Sequence, residues 1–169
     1  MVKNGKSLGI KSTYGGFLME KLKMTLLRFK NFIRGILVFG EAVPPYDVSN
    51  SNFVRTENFV KMGGRIYHHA ITFRRGQGPY TPHYTLHNLN GKYTKINGYI
   101  GHIDRTGMTD VSFNFYVAGK LSDSYHLEAT DLPIQISINV AGIRQLKIEV
   151  EDKNYFSRAR YAFAGAILE

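Results

Sequence analysis

Three segments of this chain alternate apolar and polar residues with a period of two, and that alternation restricts the fold more than any other feature. VSFNFYV, residues 111–117, sets Val111, Phe113, Phe115 and Val117 against Ser112, Asn114 and Tyr116. PIQISINV, 133–140, sets Ile134, Ile136, Ile138 and Val140 against Gln135, Ser137 and Asn139. QLKIEVE, 145–151, sets Leu146, Ile148 and Val150 against Lys147, Glu149 and Glu151. Successive side chains of an extended strand point to opposite faces, so each segment predicts a half-buried strand. Gly or Asp-Pro punctuation separates them, which indicates antiparallel pairing with one face covered.

Further strands of less clear phase are predicted at RIYHHAITF (65–73), HYTLHNL (83–89) and YTKINGYIGHI (93–103). YFSRARYAFAGAIL (155–168) reads as a closing strand, although its alanines also admit a helix. Asn90-Gly91 is a strong tight-turn signal, because both residues tolerate positive φ. Asn97-Gly98 falls inside a strand and predicts a bulge or bend. The 17 Gly, 11 Tyr and 11 Phe lean the same way. Six or seven short strands with no helical segment between them fit an all-β fold, an antiparallel β-sandwich of jelly-roll type. At 169 residues the chain is long enough for one domain and an appendage.

That appendage is predicted at the N-terminus. In residues 18–39, Leu18, Leu22, Leu26, Phe29, Ile33 and Ile36 recur at steps of three and four among Lys and Arg, the pattern of an amphipathic basic helix. EAVPPYDVSNSN (41–52) reads as a linker by its Pro, Asp, Ser and Asn content. The division is therefore a basic arm over 1–50 and a sandwich over 51–169. Charges every few residues exclude a transmembrane span within the arm, and GILVFG is short for the apolar region of a signal peptide. Packing on the domain, contact with a protein or membrane surface through 18–39, and a degraded leader remain as readings of the arm.

The net charge of +9 looks at first like a nucleic-acid signal. Residues 1–40 hold eight basic side chains against Glu20, leaving 14 basic and 12 acidic groups for 41–169, a net of only +2. The main domain therefore gives no support for a nucleic-acid face. With no cysteine, thiolate metal sites, disulfides and cysteine nucleophiles are excluded.

Catalytic signatures are scarce. His68 and His69 are adjacent in a strand and should face opposite ways, while His83 and His87 would lie about 13 Å apart in extended chain. Asp104 and Asp110 flank RTGMT and offer a possible calcium site, or simply a turn cap and a strand lead-in. Glu149 and Glu151 share a strand face beside Lys147, which reads as a solvated face. RRGQGPY (74–80) is a basic glycine-rich loop without the following helix that a phosphate site needs. No Ser nucleophile motif, H-E-x-x-H or Walker loop is present, so the expectation is a non-catalytic module. NYFSRARY (154–161) supplies aromatics and paired donors suited to a sugar: Tyr155, Phe156 and Tyr161 with Asn154, Arg158 and Arg160. The same pattern is equally compatible with Phe156 and Tyr161 in the core and solvated arginines.

LNGKYTKINGYIGHID, then VSFNFYVAGK, then VAGIRQLKIEVED resemble the NPCBM family, also described as carbohydrate-binding module family 51, over about Asn58 to Glu169. Val140, Gly142, Gln145, Leu146, Lys147, Val150 and Asp152 match its motif. The resemblance implies a galactose-binding-like sandwich, a carbohydrate partner of galactose type, an extracellular or cell-surface setting and, in some members, calcium. Where members close with a segment like Asp-His-Ala-Asp-Trp-Ala, this chain has Ser157, Arg158, Ala159, Arg160, Tyr161 and Ala162. The residues of 154–161 expected at the sugar are Tyr161 as stacking platform, Arg158 and Arg160 as donors, and Asn154 and Tyr155 beside them.

Overall fold

The computed structural model describes residues 19, 21–26, 37–74, 82–152, 154 and 158–169. Within Ile36–Glu169, eleven strands form two antiparallel sheets. The first sheet runs β3 (Val54–Met62), β4 (Arg65–Arg74), β11 (Arg160–Leu168), β6 (Lys95–His102) and β9 (Ile134–Asn139). A short β1 (Leu37–Val38) pairs with the end of β11. The second sheet runs β2 (Pro45–Val48), β5 (His83–Asn88), β10 (Gln145–Asp152), β7 (Val111–Val117) and β8 (Lys120–Leu127). The predicted β-sandwich is thus the observed architecture.

The alternating segments place their apolar sides as the pattern requires. Phe113 and Phe115 of β7, Leu146 and Ile148 of β10, and Ile136 and Ile138 of β9 meet in one core with Phe73 and Phe163. Each such buried side chain contributes about 1.5–3 kcal/mol. Asn90 (φ +52) and Gly91 (φ +68) form the turn that carries the chain from β5 in the second sheet to β6 in the first. Gly98 lies at an irregularity of the expected kind, but on the partner strand: β11 shifts register between Ala164 and Ile167 opposite it, while β6 stays in register with β9 from Lys95 to Ile100. A β-carbon on Gly98 would lie 2.5 Å from the Phe163 ring, so glycine is needed for close approach.

β11 is buried on both faces, which explains its alanines. Tyr161 and Phe163 belong to the main core. The alternate residues Ala162 and Ala164 lie under Val60 and Met62 in a second, smaller core with Ala70 and Ile103. The closing segment is a strand from Arg160, not a helix.

The domain boundary near residue 51 is corrected. Phe39 is 1% exposed, packed 4.6 Å from the His87 ring and 5.8 Å from that of Phe163, and Val43 is also buried. The Pro-rich stretch is β2 rather than a linker, and it occupies a sheet edge, where the missing N–H of Pro45 is tolerated. Among the described residues the sandwich therefore includes Leu37 onward. The predicted helix over 18–39 is helical at 19 and 21–26, while 27–36 lies outside the described residues. Its last residues depart from it: Leu37 and Val38 form β1, and Phe39–Ala42 form a separate short helix, α1.

Candidate functional site

The structure separates the residues that the closing segment seemed to bring together. Tyr161 is 1% exposed; its hydroxyl bonds the Asp152 carboxylate and lies 2.6 Å from Thr109 Oγ1, and its ring meets that of His102 edge-on at 5.4 Å. A ring so enclosed has no face for a sugar, and the stacking role is corrected to a core role. Arg158 is exposed in the segment before β11, where its carbonyl accepts the Gly107 N–H. Asn154 is exposed and donates its backbone N–H to Asp152 Oδ1 at 2.7 Å, an Asx turn. Tyr155 and Phe156 lie outside the described residues. Of the described members of the expected set, Arg160 lines a cleft.

Asp104 and Asp110 serve different segments. Asp104 Oδ2 accepts the Gly64 N–H at 3.0 Å, and Asp110 Oδ1 accepts the Ala129 N–H at 3.0 Å. Among the described residues no group of three or more His, Asp or Glu is placed to hold a metal ion. These two residues do not fit a shared calcium site, since each carboxylate is already engaged by backbone elsewhere.

The histidines also have local roles. His69 adopts φ +54, which breaks the alternation of β4, and its Nδ1 lies 3.2 Å from Glu41 Oε1. The rings of His68 and His69 are consequently 6.4 Å apart rather than on opposite faces. His83 and His87 sit on β5 in extended chain, as predicted. His87 is fully buried, its Nδ1–H donating to the Val43 carbonyl at 3.0 Å and its Nε2 accepting from Thr85 Oγ1 at 2.9 Å. Burial lowers its pKa to about 4, against a smaller upward pull from the Val43 hydrogen bond.

The outward face of the second sheet carries a closed polar network. Lys147 Nζ lies 5.0 Å from the Tyr84 ring centre and 4.9 Å from that of Tyr116, and it pairs with Glu149. Tyr116 donates to Glu149 Oε1 at 2.9 Å, which raises the tyrosine pKa. Glu149 is only 5% exposed, so this face is not simply solvated. Its cation, carboxylate and rings satisfy one another.

The cleft is different. It encloses about 510 Å³ and is built on the outward face of three neighbouring strands, β3, β4 and β11. Register fixes its floor: Arg55 lies opposite Thr72, Thr72 opposite Ala162, and Arg74 opposite Arg160. Glu57 Oε1 accepts from Thr72 Oγ1 at 3.0 Å and pairs with Arg160, so donor and acceptor are held in place. Asn52 and Phe53 close one end, at a turn where Asn50 Oδ1 accepts the Asn52 N–H and the Phe53 carbonyl accepts that of Arg74. The volume falls in the ~300–1,000 Å³ range of small-molecule sites. Sequence reasoning missed Arg55, Glu57 and Phe53 because β3 lacks clean alternation; Arg55–Glu57 spacing on one strand face was the available signal.

The profile of the NPCBM/NEW2 domain matches residues 30–168. No curated protein matches the sequence. Among solved structures, the CBM51 of a Clostridium perfringens GH95 enzyme in complex with methyl-galactose is 14% identical with a TM-score of 0.61, covering 79% of this chain and 99% of that one. A Clostridium perfringens ZmpB fragment with CBM51-2 in complex with GlcNAc and INT domains is 13% identical, TM-score 0.61, covering 79% and 31%. The M60 catalytic domain of ZmpB with its two CBM51 domains is 19% identical, TM-score 0.57, and the chain covers 14% of it. At these identities the likeness is one of fold. The profile match takes in both sheets and the strand that carries Arg160, and the chain belongs to the NPCBM/NEW2 domain family.

Proposed function

We propose that the chain is a non-catalytic carbohydrate-binding module that takes a sugar of galactose type into the cleft on β3, β4 and β11. The observation that carries this reading is the fixed pair of Glu57 and Arg160 at the floor of a 510 Å³ cleft in a domain of this family. A carboxylate acceptor and a guanidinium donor side by side match vicinal sugar hydroxyls, and Phe53 offers an apolar wall. Relatives of this fold support the choice of ligand, one having been solved with methyl-galactose and another with GlcNAc. An extracellular or surface setting accords with such a ligand. Among the described residues that line the cleft there is no nucleophile or acid–base pair, and Glu57, the one carboxyl group among them, is engaged by Arg160.

NMR titration of the full chain with galactose, GlcNAc and glucose tests the reading. Saturable millimolar binding, weakened at least fivefold by Arg160→Ala, is the expected result. Shifts that avoid residues 52–57, 72–74 and 160, or the absence of binding by a folded sample, would overturn it.

A second reading, contact with a protein or membrane surface through 18–39, draws on Leu22 and Leu26, which are 66% and 56% exposed on one side of a helical segment. Liposome co-sedimentation of the full chain against a Leu22→Asp/Leu26→Asp variant decides it. Equal sedimentation removes that reading.

A further inference from the structure

The charge of the cleft does not suit a neutral sugar alone. Among the described residues its lining holds three guanidinium groups, Arg55, Arg74 and Arg160, against one carboxylate, Glu57, a surplus of two positive charges. Arg74 and Arg160 are direct cross-strand partners on β4 and β11. Side chains in such positions stand about 4.5–5.5 Å apart at Cβ, and like charges there repel. Glu57 neutralises Arg160. Arg55 and Arg74 have no ion pair among the described residues.

This arrangement differs from an ordinary solvated strand face in two respects. Thr72 of β4, the strand between Arg55 and Arg160, is buried and holds Glu57 through its hydroxyl on the carboxylate oxygen that pairs with Arg160. The three cations also line one and the same cleft. Bringing an anion between them relieves the repulsion and forms charge-assisted, bidentate hydrogen bonds, the strongest class that a guanidinium makes. The other groups of residues 41–169, 11 basic and 11 acidic, sum to zero, so the net charge of that region equals the surplus in the cleft.

We infer that the cleft selects an acidic saccharide, one whose ring carries a carboxylate or a sulfate ester, with Arg55 and Arg74 binding the anionic group while Glu57 and Arg160 address ring hydroxyls. The inference rests on the carbohydrate-binding reading above and sharpens its ligand class. A carboxylate and a sulfate share the chemistry that the guanidiniums recognise; the ring hydroxyls distinguish a saccharide from a bare anion.

Galactose, galacturonic acid, galactose 6-sulfate and inorganic sulfate are titrated into the full chain at low and physiological salt, with amide shifts as the readout. At least one of the two charged sugars should bind at least tenfold more tightly than galactose, with the margin shrinking as salt rises. Which of the two binds more tightly identifies the anionic group. Arg74→Ala and Arg55→Ala, both at exposed positions, should each remove most of the margin, and Glu57→Gln should widen it. Galactose binding as tightly as both charged sugars would overturn the inference and leave the carbohydrate reading standing. Sulfate binding as tightly as galactose 6-sulfate would reduce the cleft to an anion site and overturn it also. No binding of any sugar would remove both readings.

Discussion

Acidification should destabilise this fold through His87, and the size of the effect follows from its surroundings. The imidazole is enclosed between Phe39, the Val43 carbonyl and Thr85, with both ring nitrogens used in the neutral form. Its pKa in the folded chain is lowered to about 4, first by burial, against 6.5 for the unfolded chain. Between those values the unfolded state binds a proton that the folded state refuses, so stability rises with pH across the window. The contribution is complete above about pH 6.5 and is lost as pH falls toward and through 4, by roughly 2 kcal/mol at pH 5.2 and about 3 kcal/mol at pH 4. Urea unfolding of the wild type and of His87→Gln at pH 7, 5.2 and 4 isolates this group, because all other titrations are common to both. The variant should start less stable, and the gap should narrow by about 3 kcal/mol between pH 7 and pH 4. Parallel stability curves, or a His87 ring resonance titrating near 6.5 in folded wild type, would refute the reasoning.

Three further outcomes follow from the packing. Gly98→Ala should lower stability by about 1–3 kcal/mol in thermal unfolding, because the new methyl meets the Phe163 ring at 2.5 Å. Tyr161→Phe should cost about 1–3 kcal/mol, since Asp152 and Thr109 lose a buried partner. It should leave saccharide affinity unchanged, and a loss of binding in a stably folded variant would restore Tyr161 to the site. A chain beginning at Ser51 should fail to fold, because it lacks β1, β2, Phe39 and Val43; dispersed amide resonances from that chain would contradict the boundary at Leu37.

Alternation made the strands of the core legible: β7, β9 and β10 lie where their period of two places them, within a residue or so at each end. The pattern faded wherever burial was not one-sided. β11 has apolar residues on both faces, so its phase was hidden and its alanines suggested helix. β3 and β8 are exposed over most of their length and show no clean alternation, so the pattern predicts no strand there. The candidate site failed for a related reason. Arg158, Arg160 and Tyr161 are neighbours in sequence but do not share a surface. On the strand, Arg160 and Tyr161 must face opposite ways, and the larger apolar ring takes the core. The neighbours of Arg160 at its site are then set by strand order, which places Arg74 beside it and brings Glu57 and Arg55 in from β3. No spacing along the chain encodes that row. A binding surface laid across the strands of a sandwich is specified by register, and register is fixed by the buried face; the core residues that carry no ligand chemistry therefore decide which charged groups meet above them.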